Sequence, residues 1–461
     1  MKKWIMLATL FFSVSAIGAE IHLPVPEVET LPNGLQLVWF LDDSLPVVDM
    51  ALLVKSGDRD DLPGKTGTSE LLSSVMDRGA SGLTAQQLAK SVEELGASRY
   101  VSSQEESFTI GMHGLAPDAG TLLDIMTRIA LHPDFPPAEV SREHARILDR
   151  WSHVADYGES LAGLAYHRLI ANGTTYERGS FASVGEFKKV TRDDVIEFYH
   201  RHFTPKNSVL MVVGRANKDV FRKKILDGFG NWQGEAPRHD YHKTFDNRVT
   251  VKKGQILIVD RPELTQAQVR IGFVAPLIHI PEHYALVVAN ALLGEYFNSR
   301  LNSLIRDKLA LTYSIGSSFA YSMDFATFTI SSATRNETTG ALIQKSIDVL
   351  KELKRGPIPK EEVQMAKEYL VGGFPLSNAT LGAIASRWLA GYVFQLGPNY
   401  LNEFVPKVSA VTPEDVKSAV EKDFHLDQLV IVVAGDAKEI IKSLKEQDLG
   451  SFKLVQVRDL M

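Results

Sequence analysis

The chain has 461 residues, and at about 100–200 residues per domain this length predicts two to four domains. Apolar residues make up 44% of the sequence and charged residues 23%, which excludes a disordered, collagen-like or coiled-coil molecule as the main architecture. The formal net charge of -6 gives no overall attraction for nucleic acid. The absence of cysteine excludes disulfides, thiolate metal ligands and cysteine nucleophiles.

The N-terminus has the pattern of a secretory signal peptide. Two lysines precede an apolar run from Trp4 to Val14, and small residues follow as far as Ala19. The apolar run is too short for a membrane-spanning helix, which needs about 20 residues. We therefore predict a signal peptide over residues 1–19, cleavage after Ala19, and a periplasmic protein without stable membrane insertion.

The first half of the chain is predicted as strands, then helices, then a returning strand. The predicted strands are Leu35–Leu41, Val48–Val54, Ser107–His113 and Val209–Val213. The predicted helices are Ser69–Met76, Thr84–Leu95, Asp118–Leu131, Ala138–Trp151, Ser160–Ile170 and Asp193–His202. Long helices grouped beside a mostly antiparallel sheet indicate an α+β fold.

The second half of the chain is predicted to repeat this order. The predicted strands are Gln255–Val259, Val269–Val274, Tyr313–Ser318, Phe325–Ser331 and Val430–Ala434. The predicted helices are Tyr284–Leu293 and Phe297–Leu309.

Two sequence echoes indicate an internal duplication. The capped helix start at Val190–Val195 recurs 221 residues later at Val411–Val416, and Pro136–Val140 recurs 223 residues later at Pro359–Val363. Two echoes in the same order predict a duplicated unit of roughly 220 residues, a period far longer than that of solenoid repeats. The predicted divisions are an N-terminal half over 20–235, a polar linker with Gly and Pro over 236–247, and a C-terminal half over 248–461.

One segment matches a zinc-peptidase pattern but has the wrong local structure. His279 and His283 enclose Pro281 in an H-x-x-E-H order. Pro is tolerated at the first position of a helix and not in its interior, so we predict that the helix starts at Pro281 and leaves His279 in the loop. The remaining histidines are scattered, and no local cluster provides the three ligands of a catalytic zinc.

Arg306 and Tyr313 are candidate substrate contacts. Arg306 falls in the last turn of a predicted helix, and Tyr313 begins the next predicted strand. Both are hydrogen-bond donors that can hold a carbonyl oxygen or a developing oxyanion. On the residues alone, a helix-dipole role for the arginine and a packing role for the tyrosine are the simpler interpretation.

Distributed motifs give the whole mature chain a resemblance to a known family. They are Leu31–Leu35, Gly79–Ala80, Leu95–Ala97, Pro133–Phe135 and the stretch from Leu293 to Ser314. In this order they resemble the pitrilysin/insulinase family of metallopeptidases, especially bacterial two-half members similar to mitochondrial processing peptidase subunits.

The resemblance implies a fold and a functional pair. It implies two homologous α+β halves, each a mostly antiparallel sheet packed with helices, which form a clamshell around an extended peptide. It also implies an Arg–Tyr pair in the second half that contacts the substrate near the zinc of the first half. Arg306 and Tyr313 match that pair in spacing and context.

The chain departs from the family where the zinc should be bound. The H-x-x-E-H motif of the family falls on Glu70 to Ser74, so Glu70 and Ser74 replace the two histidines and Ser73 replaces the catalytic glutamate. The third family ligand falls on Arg150, a cation that would repel a metal. These degenerate positions imply that this chain holds no metal or other cofactor.

The resulting prediction is a non-zinc subunit of a periplasmic heteromeric zinc metallopeptidase, inactive alone. Arg306 and Tyr313 would contact peptide or unfolded protein in trans, while a homologous partner subunit bears H-x-x-E-H and the zinc. A non-proteolytic peptide-binding or scaffold protein of the same fold is the first alternative. A self-sufficient hydrolase with an unrecognised site is the second.

Overall fold

The computed structural model describes residues 22–178, 184–238 and 255–460. The predicted signal peptide at 1–19 lies outside the described residues, as does the predicted linker beyond residue 238. Within the described ranges, no helix is both long and apolar enough to cross a membrane.

The first half forms a six-stranded sheet in the order β1-β2-β8-β3-β7-β6. Its last strand, β8, returns to the middle of the sheet, where it pairs in parallel with β2 and antiparallel with β3. A two-stranded ribbon, β4-β5, lies apart from this sheet. The strands are β1 Glu27–Thr30, β2 Gln36–Leu41, β3 Val47–Val54, β4 Gly79–Ala80, β5 Leu83–Thr84, β6 Ser98–Ser103, β7 Phe108–Leu115 and β8 Ser208–Gly214. The helices are α1 Thr68–Val75, α2 Ala85–Glu93, α3 Ala119–Leu131, α4 Pro137–Ser152, α5 Gly158–Ile170, α6 Val184–Phe187, α7 Arg192–His202 and α8 Lys218–Phe229.

The second half repeats this sheet strand for strand, in the order β14-β9-β13-β10-β12-β11. Only the outermost strand differs, because β1 pairs antiparallel with its neighbour whereas β14 pairs in parallel. The strands are β9 Ile256–Asp260, β10 Gln266–Val274, β11 Ile315–Tyr321, β12 Ala326–Arg335, β13 Val430–Gly435 and β14 Phe452–Gln456. The α-helices are α9 His283–Asn290, α10 Thr339–Arg355, α11 Lys360–Ser377, α12 Leu381–Val393, α13 Tyr400–Ala410, α14 Pro413–Asp423 and α15 Ala437–Glu446. The predicted α+β fold of two homologous halves is confirmed.

The two copies of the repeated helix start have the same cap. Thr191 accepts a hydrogen bond from the Asp194 amide, and Thr412 accepts one from the Asp415 amide. In each copy the aspartate also accepts from the backbone N–H of the threonine, which completes a capping box. The echo therefore encodes the same local structure in both halves.

Each half contributes one helix that packs on the sheet of the other half, and we call these two the exchanged helices. Both sheets are covered on one face by helices of their own half and on the other face by a helix of the opposite half. Helix α12 packs on the first sheet, and α5 packs on the second. These two helices are equivalent in the repeat, since their first and last residues are both separated by 223 positions. The buried contacts on the first sheet are made by Ile384, Ala385, Trp388 and Leu389 against Val38, Phe40, Val209 and Met211.

Polar contacts close the two halves into a clamshell. Glu106, in the β6–β7 turn of the first half, accepts hydrogen bonds from the Met323 amide at 2.9 and 3.0 Å. Beside it, Ser322 donates to Glu105 at 2.5 Å. Arg59 donates to Glu106 at 2.5 Å and balances the charge of this buried carboxylate.

Two predicted helices differ from the observed ones. The helix predicted over Phe297–Leu309 begins only at Arg300 and is π-helical over Asn302–Lys308, where the Leu309 amide reaches back to Leu304. The helix predicted over Tyr284–Leu293 continues as a π-helical turn over Ala291–Glu295. An apolar period of 3.6 residues does not distinguish these wider turns from an α-helix, so the sequence predicts the element but not its winding.

The strand predicted from Tyr313 begins two residues later, at Ile315. The Thr312 hydroxyl donates to the Ser314 carbonyl at 2.9 Å and to Ala333 at 2.5 Å. This local side-chain bonding holds the chain in a turn before the ladder with β12 begins.

The exchanged helix gives a direct test of stability. Trp388 is 3% exposed and lies edge-on to Phe40, at 6.0 Å between ring centres. We expect Trp388→Ala to lower the free energy of unfolding by about 3–5 kcal/mol, because the side chain fills the contact between α12 and the first sheet. Urea-induced unfolding measures this. Tyr313→Ala, at a side chain 96% exposed, is the control, and equal effects of the two variants would contradict the packing described here.

Candidate functional site

The positions that correspond to the zinc motif lie on helix α1 and are engaged within the protein. Ser73 and Ser74 both donate from their hydroxyls to the Glu70 carbonyl, at 2.8 and 3.1 Å. Glu70 lies in the first turn of the helix, where a carboxylate interacts favourably with the helix dipole. Neither serine offers a metal ligand in this arrangement.

Arg150 completes the departure from a zinc site. Helix α4 packs against α1 and places the Arg150 guanidinium in an ion pair with the Glu70 carboxylate. Burial raises the pKa of Glu70 to about 7, and the charge of Arg150 opposes this rise. The Arg150 guanidinium therefore pairs with the Glu70 carboxylate, which would otherwise be free to face a metal ion. The residues at these positions do not fit zinc.

Further carboxylates below α1 serve the start of the helix. Asp61 accepts from the Gly67 and Ser69 amides at 2.6 and 2.9 Å, and Asp58 accepts from the Ser69 hydroxyl at 2.8 Å. Burial raises the pKa of both aspartates. These bonds satisfy amides that would otherwise lack partners in the first turn. In the part of the chain that the structure describes, no group of three or more His, Asp or Glu side chains could hold a metal ion.

Arg306 lies within electrostatic range of Tyr313, and of the two only Tyr313 is fully open. The Arg306 guanidinium lies 3.6 Å from the centre of the Phe297 ring and donates to Asp307 at 2.7 Å and to the Phe297 carbonyl at 3.2 Å. The hydrogen bond to Asp307 raises the pKa of Arg306, and the nearby Tyr313 phenol adds to this effect. Arg306 is thus a fixed, permanently charged donor beside an exposed hydroxyl.

Each of these groups lies next to the edge strand of its sheet. Helix α1 packs against β6, the outer strand of the first sheet, and Tyr313 lies two residues before β11, the outer strand of the second. One side of an edge strand has free N–H and C=O groups, which can pair with an extended peptide. No hydrogen bond or ion pair between described residues joins the Glu70–Arg150 pair to the Arg306–Tyr313 pair.

The His279–His283 segment lines a separate cavity of the second half. Helix α9 starts at His283, two residues later than predicted, and His279 lies in the preceding turn. Burial lowers the pKa of His283 to about 4, with a further contribution from His279, so this imidazole is neutral at pH 7.

The carboxylates between the halves were not identified from the sequence. Glu105 and Glu106 form a short charged run between two strands, a pattern that usually indicates a solvated turn. Burial raises the pKa of Glu105 to about 7, with the nearby charge of Glu106 adding to the rise. Two adjacent acids at a tight turn between two strands are the only sequence signal of this role.

Glu105 predicts a pH dependence of stability. Its folded pKa of about 7 lies above the ordinary value of 4.5, so between these values the native state binds more protons than the unfolded chain. We expect stability to fall as the pH rises from 4.5 through 7. Glu105→Gln keeps an acceptor for Ser322 and should reduce this dependence in melting curves between pH 5 and 8, while the part due to Glu70, whose pKa is also raised to about 7, remains.

The matched control is Glu94→Gln, at an exposed glutamate of α2's C-terminal end. This variant should keep the pH dependence of the unchanged protein. An equal slope for Glu105→Gln and the unchanged chain would show that Glu105 does not titrate in this range.

Comparisons with known proteins agree with this architecture. Residues 38–180 match the family model described as insulinase (peptidase family M16), and residues 189–370 match the model described as peptidase M16 inactive domain. The uncharacterized zinc protease YmxG of Bacillus subtilis is 23% identical over 88% of this chain and 97% of its own length. Zinc protease PqqE of Helicobacter pylori is 26% identical over 85% of this chain and 88% of its own.

Solved structures share the fold over nearly the whole chain. A peptidase M16 inactive domain from Pseudomonas fluorescens superposes with a TM-score of 0.81 at 20% identity, and the match covers 89% of this chain and 98% of the other. A protease from Helicobacter pylori gives the same TM-score and identity over 89% of this chain and 100% of its own. The two family models together span most of the sequence, and the chain therefore belongs to the insulinase family of peptidases, M16, as a member that lacks the zinc motif.

Proposed function

We propose that this chain is the non-catalytic subunit of a heteromeric zinc peptidase in the periplasm, where it binds and orients peptide for a homologous partner that carries H-x-x-E-H. The observation that carries the proposal is the Glu70–Arg150 ion pair at the positions where the family binds metal. The location rests on the signal-peptide pattern of residues 1–19.

The edge strands supply the peptide contacts in this proposal. An extended substrate would pair its backbone with β6 or β11, which gives affinity without dependence on side-chain sequence. The Arg306 guanidinium and the Tyr313 hydroxyl would then donate to substrate carbonyl oxygens. Asp307 and Phe297 fix the arginine in advance, so little conformational entropy is lost when it binds.

The division of work follows from the charges. Zinc held by the partner would supply the activated water. Arg150 would repel a divalent cation and occupies the carboxylate of Glu70, so this chain alone should not cleave peptides. The family names of the relatives YmxG and PqqE as zinc proteases are consistent with a zinc-bearing partner of the same fold.

The complex tests the role of Arg306. With the chain and its zinc-bearing homologue purified together, we expect Arg306→Ala to lower kcat/KM for peptide cleavage by about 10²–10³, as for removal of one donor to a transition-state oxygen. Arg335→Ala is the control, because this arginine is exposed and pairs with surface Glu337.

Three outcomes would contradict the proposal. The first is unchanged cleavage by the Arg306 variant. The second is chelator-sensitive cleavage by the chain without its partner. The third is a complex that binds peptide but never cleaves it, which would support the non-proteolytic binding role.

Restoring the family residues at the degenerate site should restore zinc binding. The combined substitutions Glu70→His, Ser73→Glu, Ser74→His and Arg150→Glu restore the residue types of the family motif on α1 and α4. We expect elemental analysis to find about one zinc per chain in this variant and well below one in the unchanged protein. The variant that keeps Arg150 is the control. Equal zinc in the control and the full variant would contradict the view that the guanidinium excludes metal.

A further inference from the structure

A second cavity lies between the two halves, at the end of the exchanged helix α12. Its volume is about 540 Å³, which is within the usual range for small-molecule sites. The first half contributes Lys55 and Arg59 to its wall, and the second half contributes Met323, Trp388, Tyr392 and Pro398. The wall is thus mainly apolar and aromatic, with charged groups on one side only.

Lys55 is the unbalanced charge of this cavity. Lys55 directly follows β3, and its backbone amide donates to the Asn207 carbonyl, which fixes the position of the residue. Its Nζ lies 5.2 Å from the centre of the Tyr392 ring. Burial lowers the pKa of the ammonium group. Among residues 22–178, 184–238 and 255–460, no carboxylate or hydrogen-bond acceptor pairs with Lys55 Nζ.

The other two charged groups of the wall neutralise each other. Arg59 donates to Glu106 at 2.5 Å, and the Tyr176 hydroxyl donates to the same carboxylate oxygen at 2.6 Å. The Met323 amide also donates to Glu106. Three donors therefore balance the charge of the Glu106 carboxylate. The charge of Lys55 remains and gives the cavity wall a net positive charge.

The aromatic wall is rigid. Trp388 and Tyr392 stack at 5.2 Å between ring centres, with an angle of 21° between their planes. The Trp388 indole N–H donates to the Pro398 carbonyl at 3.0 Å, so its hydrogen-bonding capacity is already satisfied within the protein. This leaves a preformed apolar surface beside a half-buried cation.

We propose that this cavity binds a small apolar carboxylate, whose acid group pairs with Lys55 and whose body lies on Tyr392 and Met323, with Trp388 packed behind Tyr392. The chemistry is shared by the C-terminal residue of a peptide and by a free aliphatic acid. The ligand would touch both halves at once, so its binding would stabilise the contact between them. The site is independent of Arg306, Tyr313 and the zinc-bearing partner.

Calorimetric titration of the full mature chain, without its partner, tests the proposal. The probes are N-acetylphenylalanine, its amide and octanoate. The acid should bind about 10- to 100-fold more tightly than the amide, or about 1.4–2.7 kcal/mol, because the acid alone can form a charge-assisted hydrogen bond with Lys55. Tighter binding of octanoate than of N-acetylphenylalanine would identify a free aliphatic acid as the natural type of ligand, and the reverse order would identify a peptide end.

Lys55→Met identifies the responsible charge. This variant keeps the length of the side chain and removes a partly buried charge, so it should fold normally and bind acid and amide equally. Lys90→Met, at a lysine that is mostly exposed on α2, should behave as the unchanged chain. Equal binding of acid and amide by the unchanged chain, no binding of either acid, or a persistent preference in Lys55→Met would each overturn the proposal. Lys55→Gln, which also removes the charge, provides the same test should the methionine variant not fold.

Discussion

The structure depends on the reciprocal packing of α5 and α12. Each sheet has two apolar faces, and helices of the same half can cover only one of them. The second face of each sheet is buried by the equivalent helix of the other half. Because burial of apolar surface is the main favourable term in folding, neither half has a complete core without the other. This packing fixes the position of one sheet relative to the other. It therefore also fixes the positions of their edge strands and of the polar contacts between the halves.

Much of the fold could be predicted because its signals are local. The capping boxes at Thr191 and Thr412, and the apolar runs of β3 and β8, specify their elements within a few residues. The helix exchange has no such signal. The apolar residues of α12 have the same pattern whether they face their own sheet or the other one, so the partner depends on the three-dimensional path of the chain.

The candidate site was predictable to a similar degree. The loss of the zinc ligands is visible in the residue types at Glu70, Ser73 and Ser74, because a serine hydroxyl is a poor zinc ligand compared with an imidazole. The ion pair between Glu70 and Arg150 required the packing of α1 on α4, across 80 residues of sequence. The stacking of Arg306 on Phe297 likewise depends on a π-helical turn that periodicity does not reveal.

The helix exchange also bears on how a two-half chain could arise. Helices α5 and α12 are equivalent elements of the duplicated unit, and each covers the sheet of the opposite copy. Two separate molecules of a single unit could make the same exchange around a two-fold axis, as in a domain-swapped homodimer. Fusion of two such genes would preserve every contact of that ancestral dimer, and the two copies would then be free to diverge. On this view the pseudo-symmetric interface is older than the single polypeptide that now contains it.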